Sequence, residues 1–155
     1  MRRCDQIERW RGVTAGYSGT ALARKLGMTP PMKWIVVDPP QEYRAWLGAI
    51  PKGVAIATQN GGDELQAVHV FVTKRAALEK HLADLRRRLK QTGFLWVSWP
   101  KKASKVETDV TEDVIRALAL PLGFVDVKVC AVSQVWSGLK LVIRKSERAR
   151  NGARP

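Results

Sequence analysis

The sequence is poor in the residues that build metal sites and disulfides. Its 155 residues include only two cysteines and two histidines, and no Cys-x-x-Cys spacing occurs. Cys4 lies near the beginning of the chain and Cys130 lies in an apolar stretch, so we predict that they form no disulfide. Zinc sites need clustered soft ligands at short spacings, and we therefore predict no metal.

Long apolar runs are also missing. No run approaches the roughly 20 residues that a membrane-spanning helix needs, and Met1–Asp5 leads into no apolar segment of a secretory signal. We therefore expect no membrane partner and a cytoplasmic location. The hydrophobic content of 45% and the charged content of 26% are those of an ordinary globular protein, long enough to bury one core.

Acidic residues are scarce relative to basic ones. The 27 lysines and arginines against 14 aspartates and glutamates give a net charge of +13, which favours anionic partners such as nucleic acid or an anionic small molecule. Part of this charge lies near the two ends. We therefore predict a basic, loosely ordered segment at 1–14, a single α/β domain at 15–145 and a basic tail at 146–155. A basic surface without a specific partner is the alternative.

The most informative stretch that is present is Gly93–Lys102, with the sequence GFLWVSWPKK. A parallel strand that is covered on both faces has a continuous apolar run bounded by turn residues. We therefore predict a central buried strand whose carboxyl end brings Trp99 and two lysines to the edge of a sheet.

The rest of the chain alternates between strand and helix patterns. After a short leading helix we predict a strand at 32–38, a helix at 41–47, strands at 54–58 and 67–73, a helix at 74–90, the central strand, a helix at 110–118, and strands at 124–132 and 139–144. About six residues join the last two strands, too few for a crossover helix, so this pair should form an antiparallel hairpin. The order predicts a Rossmann-like, doubly wound, mostly parallel α/β sheet that ends in an antiparallel hairpin.

Two local patterns give further expectations. Asp109 and Glu112 have the spacing of a capping box, which predicts Asp109 as the N-cap of the helix that follows.

His69 lies inside a predicted strand with no second metal-ligand residue at a useful spacing. We therefore expect it to be a core histidine with satisfied hydrogen bonds.

Several segments together resemble a known family. They are Ala15–Thr20, Trp96–Lys102, Thr111–Val114, Asp126–Val132 and Trp136–Lys140. On these segments the chain resembles a small bacterial family of uncharacterised proteins, catalogued as domain of unknown function three-zero-five-two. The resemblance extends over 15–145, and it implies no established activity.

The chain also resembles the class I methyltransferase architecture, which ends in an antiparallel hairpin and has a helix leading through a glycine into a strand. This resemblance implies a crevice at the carboxyl ends of the parallel strands. In that architecture a glycine-rich turn after the first strand lets the backbone approach S-adenosylmethionine. Here Asp38–Glu42 reads DPPQE, and prolines remove amide donors. The second strand ends in Thr58 rather than an acid suited to ribose hydroxyls. We therefore expect a shortened, degenerate relative without a cofactor.

The candidate ligand-binding residues lie at predicted strand ends or in the leading segment that could fold over them. They are Tyr17, Ser18, Thr20, Asp38, Lys74, Trp99, Lys101 and Lys102. Lysines and hydroxyls suit an anionic ligand, with Trp99 as a stacking platform. The alternative is that Trp99 packs under the leading helix and the lysines are solvated.

Three functions remain open from the sequence. The absence of catalytic fingerprints favours a noncatalytic binding or regulatory domain on a methyltransferase-like scaffold, with no catalytic residue nominated. The charge of +13 suggests a nucleic-acid-binding protein as one alternative. The other alternative is an enzyme acting on an anionic metabolite, for which Asp38 is the only strand-end carboxylate that could serve as a base.

Overall fold

A computed structural model of the chain describes residues 21–58 and 62–152. The helices are α1 (Leu22–Lys25), α2 (Tyr43–Leu47), α3 (Arg75–Arg88), α4 (Glu112–Ala119) and α5 (Lys145–Gly152). The strands are β1 (Met32–Val37), β2 (Val54–Ala57), β3 (Leu65–Phe71), β4 (Leu89–Pro100), β5 (Phe124–Ala131) and β6 (Trp136–Ile143). Short 3₁₀ turns occupy Lys102–Ser104 and Leu120–Leu122.

The strands form one six-stranded sheet in the order β2-β1-β3-β4-β6-β5. The first four strands in this order run parallel, and β6 lies antiparallel to both β4 and β5. The predicted mostly parallel α/β sheet with a final hairpin is therefore confirmed, as is the predicted order of its strands and helices.

Helices cover both faces of the sheet, and successive side chains of the central strands alternate between two cores. In β4, Leu95, Val97 and Trp99 belong to the larger core beneath α3 and α4. Trp96 belongs to the second core, beneath α1 and α2. The predicted burial of this strand on both faces is confirmed, and it explains why its sequence is apolar without interruption.

β4 begins at Leu89, four residues earlier than its apolar run. Leu65 pairs with Leu89, and the next pair is Ala67 with Phe94, so β4 holds extra residues at this point. A Cβ atom at Gly93 would lie 2.8 Å from the carbonyl oxygen of Gln66. The close approach of the two backbones therefore requires glycine here.

The carboxyl-terminal segment contains a helix that the sequence analysis did not predict. Residues 146–152 of the expected basic tail lie in α5, and Glu147 of this helix lies 3.7 Å from the guanidinium of Arg86 on α3. The expected N-terminal segment at 1–14 lies outside the described residues.

The predicted capping box at the start of α4 is wrong. Thr111 is the N-cap, and its hydroxyl accepts the backbone N–H of Val114 at 3.2 Å. Asp109 instead accepts the backbone N–H of Arg75 at 2.6 Å, at the first turn of α3. The loop after β4 returns to the amino end of α3, so a carboxylate that is distant in sequence satisfies the orphan donor there.

A chain of buried hydrogen bonds crosses the core beneath α1 and α2. Trp34 Nε1 donates to Tyr43 Oη at 2.9 Å, Tyr43 Oη lies 2.9 Å from His69 Nδ1, and His69 Nε2 lies 2.8 Å from Ser98 Oγ. These four residues are hereafter the buried relay. It connects β1, α2, β3 and β4, and it confirms His69 as a core histidine with satisfied hydrogen bonds.

The donors and acceptors in the relay follow from its one group that can only donate, the indole N–H of Trp34. The indole N–H of Trp34 donates, so the Tyr43 hydroxyl accepts there and directs its own proton to His69 Nδ1. The neutral imidazole then carries its proton on Nε2 and donates it to Ser98. Complete burial lowers the pKa of His69 to about 3 and also raises the pKa of Tyr43, so both side chains stay uncharged at neutral pH.

We expect Asp109→Ala to lower the free energy of unfolding by about 1 kcal/mol, because it removes the acceptor for the first amide of α3. Urea denaturation measures the loss, and hydrogen exchange should show faster exchange of the Arg75 amide. Glu107→Ala, at an exposed position in the same loop, is the matched control. Faster exchange at the start of α4 instead of α3 would contradict the assignment.

The second prediction concerns the pH dependence of stability. The unfolded chain protonates His69 near its ordinary pKa of about 6.5, whereas the folded protein keeps it neutral down to about pH 3. Stability is therefore complete above pH 6.5 and falls by about 1.4 kcal/mol per pH unit below it from this residue alone.

Denaturation of the wild type and of His69→Gln between pH 7 and pH 5 isolates this contribution, because the two proteins share every other ionisable group. The variant should show the shallower loss of stability as the pH falls. Equal slopes in the two proteins would contradict the neutral, buried state of His69.

Candidate functional site

The connections of the sheet reverse direction between β1 and β3. From β1 the chain passes to β2 on one side, and it then returns to β3 on the other side. In open α/β sheets, ligands bind at such a point, outside the carboxyl ends of the strands. Asp38 follows β1, and Thr73 and Lys74 follow β3. Together with His81 of α3, these residues are hereafter the switch-point crevice.

Asp38 is held in an unusual backbone conformation. Its φ of 55° lies in the left-handed region, which few residues other than glycine adopt, although aspartate tolerates it better than most. Its side chain is 76% exposed. The turn therefore presents a carboxylate to solvent directly after the central part of the sheet.

His81 is an ion-pair partner of this carboxylate among the described residues. Its Nε2 atom lies 4.0 Å from Asp38 Oδ2, and its side chain is 30% exposed. α3 begins after Lys74 and runs back along the sheet, and this brings its second turn beside Asp38. If the two side chains move slightly closer, the imidazole can take a proton from a bound molecule and donate a hydrogen bond to the carboxylate.

The sequence analysis did not nominate His81. The local pattern around it is that of an ordinary amphipathic helix, and no motif spacing connects it to Asp38. His81 could have been nominated only by knowing that its helix follows the strand beside β1. The sequence does not give this strand order.

The buried relay holds the turn that carries Asp38. Trp34 lies on β1 before the turn and Tyr43 begins α2 after it, and the two are joined by a hydrogen bond. The backbone N–H of Tyr43 also donates to the carbonyl of Pro40 at 3.0 Å. The turn is therefore held at both ends by hydrogen bonds of Tyr43.

The end of β3 is closed by the loop that follows β4. The carbonyl of Thr73 accepts the hydroxyl of Thr108 at 2.7 Å and the backbone N–H of Asp109 at 3.3 Å. Lys74 precedes the first residue of α3 and is exposed. Of the cations that the sequence nominated, Lys74 is the one that follows a strand bordering the crevice.

Trp99 is not an open stacking platform in the structure. Its side chain is 8% exposed and packs in the larger core, beneath α3 and α4. The alternative position beneath the leading helix is also wrong, because Trp99 and α1 lie on opposite faces of the sheet. The alternation of side chains along β4 decides this, since Trp96 takes the other face.

Lys101 and Lys102 lie farther along the same edge. They are separated from the turn after β1, because β3 lies between β1 and β4. Lys101 is half-buried and its backbone N–H donates to the carbonyl of Val135 at 2.7 Å, and Lys102 is exposed. The remaining candidates, Tyr17, Ser18 and Thr20, lie outside the described residues.

Within 21–58 and 62–152, no group of three or more metal-binding side chains converges. No helix in these two ranges is long and apolar enough to cross a membrane.

Comparison with solved structures identifies the fold. One similar structure is an S-adenosylmethionine-dependent methyltransferase from Aquifex aeolicus, with 14% identity, a TM-score of 0.53, and coverage of 79% of this chain and 87% of that one. Another is a TehB-like S-adenosylmethionine-dependent methyltransferase from Corynebacterium glutamicum, with 11% identity, a TM-score of 0.51, and coverage of 83% and 90%. No protein-family profile and no curated protein matches the chain. At these identities the comparison shows a methyltransferase-like fold.

This comparison corrects the function that the sequence favoured. The expected noncatalytic binding or regulatory domain is contradicted, because the solved structures that share the fold over most of their length are named as methyltransferases, which are enzymes. The absence of a glycine-rich turn therefore does not by itself argue against catalysis.

S-adenosylmethionine is the molecule named for these structures, and the turn after β1 would offer it fewer backbone donors than a glycine-rich turn. Pro39 and Pro40 have no backbone N–H groups, and Asp38 adds a carboxylate where amide donors would be needed. Side chains of the crevice, rather than amides of this turn, would therefore have to hold the molecule.

Proposed function

We propose that this chain is an enzyme of the methyltransferase fold whose reaction centre is the switch-point crevice. The observation that carries the proposal is the pairing of Asp38 with His81 at the point where the sheet connections reverse. A carboxylate and a histidine in one crevice are the groups that most often move protons in enzymes. The fold of the similar structures supports a catalytic role over a purely binding one.

His81 is proposed as the general base. Its imidazole would accept the proton that a substrate hydroxyl or amine loses as that atom becomes a nucleophile. Asp38 would stabilise the resulting imidazolium and orient the ring, which is the role that a carboxylate has beside histidine in many active sites. The separation of 4.0 Å is compatible with this role, because catalytic hydrogen bonds often shorten only when the substrate binds.

Methyl transfer to a small molecule is the proposed reaction class. Its support is the fold shared with enzymes named for that reaction. Lys74, Lys101 and Lys102 would attract an anionic part of the substrate along the outer edge of the sheet, so an anionic small molecule remains the proposed partner.

Membership of the uncharacterised bacterial family and a cytoplasmic location also remain proposals.

The test is a transfer assay with a tritium-labelled methyl donor, S-adenosylmethionine, and a protein-free cell extract as the source of acceptors. The wild type should transfer label to small molecules. His81→Gln should reduce the rate by about 100-fold or more, because general-base catalysis contributes about 10²- to 10⁴-fold. Asp38→Asn should also reduce the rate, by a smaller factor.

Glu107→Gln, a charge change on the loop after β4, is the control and should keep the wild-type rate. Thermal unfolding of each variant checks that the fold persists. Transfer at the wild-type rate by His81→Gln would remove the residue from the mechanism. No transfer by the wild type would contradict the reaction class.

A further inference from the structure

The final hairpin carries two lysines directly opposite each other on one face of the sheet. Lys128 of β5 pairs with Lys140 of β6, and Lys140 pairs in turn with Trp96 of β4. Trp96 belongs to the core beneath α1 and α2, so both lysines lie on that face. His81 belongs to α3, which packs on the opposite face. The two lysines are therefore separate from the switch-point crevice.

An irregularity in β5 is responsible for this arrangement. Asp126 pairs with Leu141. The next pair is Lys128 with Lys140, so β5 contains one extra residue between its two partners. Strict alternation would place Asp126 and Lys128 on the same face. Because of the extra residue they lie on opposite faces, and Asp126 accepts a hydrogen bond from Arg116 at 3.0 Å. The carboxylate nearest to Lys128 in the sequence is therefore turned away from it.

The ammonium group of Lys140 lies in a partly enclosed position. It lies 4.4 Å from the centre of the Phe94 ring, and a Cβ atom at Gly27, just after α1, would lie 4.0 Å from it. The Lys140 side chain is half-buried, whereas Lys128 is exposed. Burial and, to a smaller extent, the charge of Lys128 lower the pKa of Lys140. The contact with the aromatic ring holds the ammonium in place and favours its charged form.

The two lysines have no acidic partner in the part of the chain that the structure describes. No carboxylate oxygen there lies within 4.0 Å of either ammonium group. Like charges directly opposite in a sheet, with Cβ atoms about 4.5–5.5 Å apart, destabilise the strand pair. A phosphate group can accept charge-assisted hydrogen bonds from both ammonium groups at once and so remove their repulsion. The arrangement therefore matches an anion with several oxygen atoms.

We propose that Lys128 and Lys140 form a binding site for a phosphate group, on the face of the sheet opposite to α3. The phosphate would belong to a free small molecule or to a nucleic-acid backbone, since both present anionic oxygens to the two lysines. The net charge of +13 adds a long-range attraction for either. This inference does not depend on the proposed function, because the lysine pair and the switch-point crevice share no residue.

Three ligands test the site at constant ionic strength, with chloride as the replaced anion. They are inorganic phosphate, adenosine 5′-monophosphate and a short oligothymidylate. Amide chemical shifts followed by NMR should change at Lys128, Lys140 and their neighbours. Lys128→Gln and Lys140→Gln should each weaken the binding of every ligand by about three- to fivefold. Lys80→Gln, the same charge change at an exposed position of α3, should bind as the wild type does.

The pKa of Lys140 provides a second measurement. Bound phosphate should raise it towards its ordinary value, because a nearby anion favours the charged ammonium. Lys128→Gln should also raise it without any ligand, since the substitution removes a like charge. NMR titration of the side-chain carbon next to the ammonium measures both changes.

The order of affinities identifies the source of the phosphate. Tighter binding of oligothymidylate than of the two small ligands, with the same loss in both lysine variants, would indicate a nucleic-acid backbone. Binding of the small ligands at least as tight as that of oligothymidylate would indicate a free phosphate compound. An affinity that either lysine variant leaves unchanged would overturn the inference. So would failure of all three ligands to bind, or chemical shift changes that chloride alone reproduces.

Discussion

The buried relay is the constraint on which the geometry of the crevice depends. Trp34, Tyr43, His69 and Ser98 belong to four different elements, and each bond between them lies in the core. A buried polar group without a partner costs about 1 to 3 kcal/mol, so the four side chains must keep their relative positions. Because Tyr43 begins the helix after the Asp38 turn, the relay also restricts the position of that turn at the end of β1.

In this protein the sheet determines where the candidate site lies, and the residues of the turn after β1 determine its chemistry. The strand order places the ends of β1 and β3 where the connections of the sheet reverse, which is the usual position of ligands in open α/β sheets. The residues of the turn determine what the crevice can hold. Asp38, Pro39 and Pro40 stand in the turn after β1, and a shared fold does not by itself establish a shared ligand.

Several side chains have functions that depend on residues far away in the sequence. Asp109 caps α3 rather than α4, because the loop after β4 returns to the start of α3. Trp99 belongs to the larger core because the side chains of β4 alternate and Trp96 occupies the opposite face. In both cases the local pattern was compatible with more than one partner, and the pairing of strands decided between them.

The sequence by itself determined the alternation of strands and helices, the final hairpin and the burial of β4 on both faces, because periodicity and loop length are local properties. It also placed Asp38 and Lys74 at strand ends, which is part of the candidate site. Only the tertiary structure showed that β3 separates β1 from β4 and that His81 lies beside Asp38. These contacts join distant parts of the chain, and they follow from the order of strands in the sheet, which no local pattern encodes.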